Sequence, residues 1–225
     1  HSLSLRPRWT DSTVRNRLSI LPIEAAEQCF ADTLILKLRS SKAEQFEALS
    51  HRMQRTLSRS WESPIQTKWE KLSSSLLRQF VPGITAFSST RGFAIPPLTW
   101  FQALTQEPKI QSPWTPSFWL VTSEKQEKSV TQALTQILIC QMGKEAHYLF
   151  GYENRLPGLR SAISTSATAH WEAITQCARM GIETYDFNGY MKESQPEDPY
   201  FGVCEFKKQF AGEIVRYVVP EFRIQ

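Results

Sequence analysis

A chain of 225 residues with 41% hydrophobic residues and a net charge of +4 is long enough for one domain with a sizeable core. The charge permits an anionic partner without demanding one, and no apolar run is long enough to span a bilayer. Cys29, Cys140, Cys177 and Cys204 have no CxxC spacing and the four histidines are scattered, so no zinc motif is present. Buried free thiols of a cytoplasmic protein are expected rather than a disulfide framework.

The chain starts at His1 and not at Met, so it is expected to be a fragment, from which an upstream targeting segment could be missing. Residues 1–32 read as an N-terminal extension or the remnant of a preceding domain. RPRWTDSTVRNR is polar and basic, and LSILPIEAAEQCFA reads as a strand followed by a short helix. Thr33 to Leu38, TLILKL, is a strand. Ser40 and Ser41 offer caps for a helix over 43–60, with Phe46, Leu49, Met53 and Leu57 as its buried stripe. Arg52, Arg55 and Arg59 occupy much of its remaining surface. Arg55 and Arg59 are candidates to meet phosphates of a tRNA or nucleotide, because guanidinium matches phosphate bidentately. The competing reading is a solvated helix face. No aromatics alternate with the arginines, so base stacking is not expected there.

Residues 63–86 read as a second helical region, with a stripe of Trp69, Leu72, Leu76, Leu77 and Phe80 ended by Val81-Pro82-Gly83. A loop over 91–97 leads to a helix over 98–104. Phe118 to Thr122 reads as a strand and Glu124 to Lys128 as a solvated turn. Ala133 to Gln141 and His147 to Tyr152 read as a hairpin through Gly143, with His147 on a strand face. Ile163, Ala167, Trp171, Ile174 and Ala178 then recur at helical spacing, and Gly181 offers a left-handed stop. IETYDF has the content of a strand, and Asp186-Phe187-Asn188-Gly189 makes a turn at its end. After an acidic loop, Phe206-Lys207-Lys208 sits between the aromatic anchors Tyr200, Phe201 and Phe210. Gly212 opens a last strand, EIVRYVV.

Trp171, Ile174, Cys177 and Gly181, then Tyr185, Asp186, Phe187 and Gly189, then Gly202, Val203, Phe206, Lys207, Phe210, Gly212 and Glu213 form a long spaced pattern. It resembles the second domain of the Fem-type peptidoglycan bridge aminoacyltransferases, over about residues 33–217. The resemblance implies an α/β (α+β) GNAT-like domain over 33–225, with a mixed, mostly antiparallel sheet flanked by helices. It implies transfer of an amino acid from aminoacyl-tRNA to an amine of a peptidoglycan precursor, with the tRNA as donor substrate and no further cofactor or metal. A second GNAT-like domain, in this or another chain, would complete the precursor site. Trp100-Phe101 stands at the family's Tyr-Phe position. Pro96 stands where relatives often carry a basic residue that helps hold the precursor, and Arg91 could supply that charge from nearby. Lys37 replaces a usual Asp.

The chemistry asks for a deprotonated acceptor amine and a stabilised carbonyl oxygen. By the resemblance, Lys207 holds the tRNA end or the developing charge. Phe206 could position the adenosine by stacking, and Lys208 is a solvent-exposed support. Asp186 either orients an amine or accepts from backbone N–H groups of the 188–190 turn, and Tyr185 beside it and Trp100 are candidate substrate- or tRNA-binding residues. No nucleophile–base pair stands out by spacing, so covalent catalysis is not expected. Two alternatives remain open. One is a GNAT-type N-acyltransferase using acyl-CoA on another amine; the other is a non-catalytic GNAT-like binding domain. The diphosphate loop that acyl-CoA would need has one weak candidate, Arg155-Leu156-Pro157-Gly158-Leu159-Arg160, in which Pro157 removes a donor and Arg160 replaces a small residue.

Overall fold

The structure is a computed structural model that describes residues 3–5, 32–106, 112, 114–127, 130–154, 163–216 and 222–224. The candidate diphosphate loop, Cys29 and most of the N-terminal extension lie outside the described residues. The chain divides into a larger unit of residues 37–185 and a smaller unit of residues 1–36 and 186–225.

The larger unit is built on a sheet in the order β3 (Ile65–Lys71), β4 (Ser117–Glu127), β5 (Val130–Met142), β6 (Glu145–Glu153), β7 (Thr184–Asp186). The first four strands form an antiparallel meander, and Gly143 makes the β5–β6 turn at φ 59°, as its position in the sequence predicts. Leu138 faces Phe150 and Ile139 faces Tyr148, so Leu149 is an extra residue that bulges β6. β7 is only three residues long against nine for β6, and Glu183 and Thr184 N–H both donate to Lys144 O. Most of β6 therefore runs past its neighbour.

Helices cover both faces. On one side α3 (Ser74–Arg91) and α4 (Leu98–Ala103) close a core of Leu77, Phe80, Ile84, Phe101, Leu120, Leu138 and Tyr152. On the other, α5 (Thr165–Arg179) packs on β3, β4 and β5 and buries Ala167, Trp171, Ile174 and Cys177. Gly181 follows it at φ 74°. Burial pushes the Cys177 thiol up to about 12 and the Cys140 thiol up to about 11, and both are free.

Four local expectations are corrected. Residues 63–86 are not one helical region: 65–71 form β3, whose Ile65, Thr67 and Trp69 alternate inward, and Ser73 then caps α3 by accepting from Leu76 N–H. Pro82 and Gly83 do not end α3, which runs to Arg91 because Leu77, Phe80, Ile84 and Ser88 keep one buried face. Gly83 is a packing residue, since a Cβ there would lie 2.2 Å from the Tyr152 ring. Residues 43–60 are two helices, α1 (Lys42–Glu47) and α2 (His51–Trp61), each capped by a serine hydroxyl, Ser41 and Ser50. Glu124 belongs to β4 rather than to a solvated turn; it is 9% exposed and pairs with Lys68 on β3.

In the smaller unit β2 (Asp32–Lys37) pairs antiparallel with β8 (Glu213–Arg216), and β1 (Leu3–Leu5) with β9 (Phe222–Ile224). Arg216 grips both carboxylate oxygens of Asp32 at 2.8 and 3.2 Å. A Cβ on Gly212 would meet Leu34 Cδ2 at 2.3 Å and Ile35 O at 3.0 Å, so only glycine lets β8 approach this closely. α6 (Phe201–Lys208) completes the unit.

Candidate functional site

In the smaller unit, Asp186 and the turn that follows it form a buried polar module. Phe187 N–H donates to Leu34 O (2.9 Å) and Tyr190 N–H to Asp32 O (2.8 Å), which ties the turn to β2. Asp186 is fully buried. Its carboxylate accepts from the Thr33 hydroxyl and, at 2.8 Å, from Asn188 N–H, the turn-holding bond expected of it. Asn188 and Gly189 are both left-handed, at φ 48° and 47°, and these two residue types tolerate that conformation best. Lys207 Nζ donates to both of their carbonyls, Asn188 O and Gly189 O, the latter at 2.7 Å.

Lys207 arrives there because α6 turns one face inward: Cys204, then Lys207 three residues on, with Phe210 just beyond the helix. An amine thus occupies a core-facing position. It is 6% exposed, so it is not a surface lysine at a turn. Burial draws its pKa down to about 8, against the opposing pull of Cys204 and Asp186. Cys204 Sγ accepts from Met191 N–H at 3.4 Å. Phe206 is half-buried and meets Phe210 edge-on at 5.4 Å; Phe210 in turn packs on Phe187 at 5.0 Å. Lys208 is exposed, 3.7 Å from Glu205. Asp186, Phe206, Lys207 and Lys208 therefore belong to one small constellation.

The other candidates lie in the larger unit. Arg55 and Arg59 are exposed on α2 and share one ridge with Arg52, on a helix that carries no acidic residue. Arg91 is exposed at the end of α3, its guanidinium 5.5 Å from the Phe87 ring centre. Trp100 on α4 is 37% exposed and lies edge-on to Phe101 and Phe150. Tyr185 does not present a surface: it is fully buried and its hydroxyl lies 2.9 Å from His170 Nδ1. The His170 ring also meets Tyr148 edge-on at 4.8 Å, beside the β6 bulge, and burial pushes the Tyr148 phenol pKa up. Sequence reasoning missed this His–Tyr cluster, because one member each comes from α5, β6 and β7 and no spacing links them. His147, expected on a strand face, lies there half-buried, 3.3 Å from Glu145. No cluster able to hold a metal ion occurs among the described residues.

A mostly antiparallel sheet with helices on both faces makes this a GNAT-like α/β fold. The structure is similar to that of FemX, with a TM-score of 0.74 and 12% identity, covering 99% of this chain and 71% of that one. It is also similar to L-PGS from Bacillus licheniformis, with a TM-score of 0.52 and 7% identity, covering 87% of this chain and 60% of that one. Comparison with curated protein sequences gives no match. Residues 120–224, just under half of the chain, match the model of the FemAB family. No helix among the described residues is long and apolar enough to cross a membrane.

Proposed function

We propose that this chain transfers an amino acid from an aminoacyl-tRNA to an amine of a peptidoglycan precursor, a reaction of the cytoplasm. The observation that carries the reading is Lys207: a buried ammonium, held by two backbone carbonyls, inside the stretch that matches the FemAB family.

In such a transfer the acceptor nitrogen attacks the ester carbonyl. The new C–N bond forms, the C–O bond to the ribose oxygen breaks, and the proton lost by the amine ends on that oxygen. The ester is already activated, so the protein has to position the two partners and stabilise the carbonyl oxygen as it becomes an oxyanion. A cation in a water-poor surrounding does this better than a solvated one, because its field is less screened. With its pKa drawn down to about 8, Lys207 can also exchange a proton near neutral pH. Asp186 serves by holding the turn that receives Lys207. The half-buried Phe206 offers a ring face for the terminal adenosine, with Lys208 as a supporting charge. Arg55 and Arg59 would meet RNA phosphates, and Arg91 and Trp100 the precursor. The burial of Tyr185 supports a packing role for it instead of direct contact.

The test is single-turnover transfer of a labelled amino acid from aminoacyl-tRNA to the precursor. Lys207→Ala is expected to slow transfer on the order of 10²–10³-fold with the circular dichroism unchanged. Equal rates for the two proteins would remove Lys207 from the site.

A further inference from the structure

β3 stands at one end of the sheet order, and no strand among the described residues pairs with its outer edge. Leu72 N–H donates to Phe118 O at 2.8 Å, one step beyond the pairing of Lys71 with Trp119. In an antiparallel ladder such bonds fall on every second residue, so Gln66, Lys68 and Glu70 bond to β4. The N–H and C=O groups of Thr67, Trp69 and Lys71 therefore point away from β4, along the open edge. An edge of this kind invites another strand, and proteins usually blunt it with a proline, a bulge or charge. β3 has no proline and keeps unbroken register with β4, which leaves charge.

The charges lie on one face of the strand. Gln66, Lys68 and Glu70 are exposed there, while Thr67 and Trp69 are half-buried on the other face. Lys68 is paired with Glu124 on β4. The Trp69 ring stacks on that of Trp119, with centroids 5.0 Å apart and planes at 20°, so a neighbouring strand holds it in place.

A second copy of β3 laid antiparallel along this edge can meet it in three central registers. With Lys68 opposite Lys68, or Glu70 opposite Glu70, like charges face each other on the two-fold axis. With Trp69 on the axis, Lys68 of each copy stands opposite Glu70 of the other. Those positions carry no backbone bonds between the copies, and side chains lie closest at such pairs. Thr67, Trp69 and Lys71 then exchange backbone bonds with Lys71, Trp69 and Thr67 of the second copy. Every open N–H and C=O of the stretch gains a partner, and the two Trp69–Trp119 stacks meet across the axis.

We propose that β3 is a docking edge for a second copy of this chain, in the register centred on Trp69, which runs one sheet through both molecules. Pairing over residues 67–71 alone buries less than a permanent dimer needs, so monomer and dimer exchange in the micromolar range. The edge lies outside the stretch that matches the FemAB family. The inference goes beyond the transfer reading, and neither tRNA nor precursor enters its test.

Sedimentation velocity over a concentration series gives the dimer dissociation constant of the full chain. Glu70→Lys sets lysine opposite lysine at both symmetry-related places and should raise the constant at least about tenfold. Lys68→Glu sets glutamate opposite glutamate and should do the same. Mixed in equal amounts, the two variants restore opposite charges at both places, and a heterodimer should return. Lys71→Pro removes an outward N–H without taking a bond from β4, and it should also weaken the dimer. It decides the matter alone where circular dichroism shows a charge variant unfolded. A wild type that stays monomeric up to millimolar concentration would overturn the proposal. So would a dimer that the folded variants leave unchanged, or folded charge variants that stay apart when mixed.

Discussion

Replacing Lys207 by methionine isolates the energetic signature of a buried amine. Lysine holds its proton up to about pH 10.5 in the unfolded chain, and burial lowers this to about 8 in the native state. Below pH 8 both states are protonated, and the native state carries the whole desolvation cost. Between about pH 8 and about pH 10.5 the unfolded chain holds a proton that the native chain has released, so stability rises with pH. At about 1.36 kcal/mol per pH unit the full effect is about 3 kcal/mol. About 2.5 kcal/mol of it falls between about pH 7 and about pH 10. Other groups move the opposite way: Cys140 and Cys177, pushed up to about 11 and about 12, lose stability as pH rises past the ordinary thiol range. That background is common to both proteins, so the quantity to measure is wild-type stability minus that of Lys207→Met. Urea unfolding followed by tryptophan fluorescence gives it across a pH series. The difference should climb by about 2.5 kcal/mol toward the wild type over that range. Its absolute value also contains the lost bonds to Asn188 and Gly189, whose weakening on deprotonation is already part of the native-state pKa. A flat difference would refute the burial argument, and with it the water-poor electrostatics assigned to Lys207.

Trp171 is 2% exposed, with Phe46 edge-on at 5.8 Å and Trp61 at 6.2 Å, so Trp171→Ala should destabilise by about 3–5 kcal/mol. An unchanged melting temperature would show that the stripe on α5 is not a packed face. Arg55→Gln with Arg59→Gln should leave the melting temperature in place and weaken tRNA binding. If the two side chains each neutralise a phosphate, the slope of log affinity against log salt should fall by about 1.4–1.8, and an unchanged slope would make the ridge an ordinary solvated face.

Much of the site was legible because its signals are local. The Asn188-Gly189 pair announces a left-handed turn whatever surrounds it, and Asp186 two residues upstream is where an acceptor for the turn's N–H must stand. Lys207 was singled out by a spaced resemblance. Its burial was not legible, because a lysine in a short polar-flanked helix has no local reason to face inward. The reason lies in the Asn188 and Gly189 carbonyls, 19 and 18 residues away in the chain. The error over residues 63–86 has a similar origin. Trp69, Leu72 and Leu76 happen to fall three and four residues apart across a strand end and a helix start. Only the pairing of Trp69 with Val121 and of Lys71 with Trp119 decides that the first part is extended.

The sequence by itself determined what short-range sterics and periodic burial control. These are the β2 strand, the β5–β6 hairpin with its glycine turn, and the buried stripe of α5 with its glycine stop; the type of fold was implied by the spaced resemblance. Tertiary structure alone decided which polar groups lose water. Asp186, Lys207, His170 and Tyr185 are ordinary residues on the page, and only folding brings each to partners that make its burial tolerable. Desolvation and hydrogen bonding between distant segments depend on three-dimensional neighbours, and no spacing along the chain encodes them.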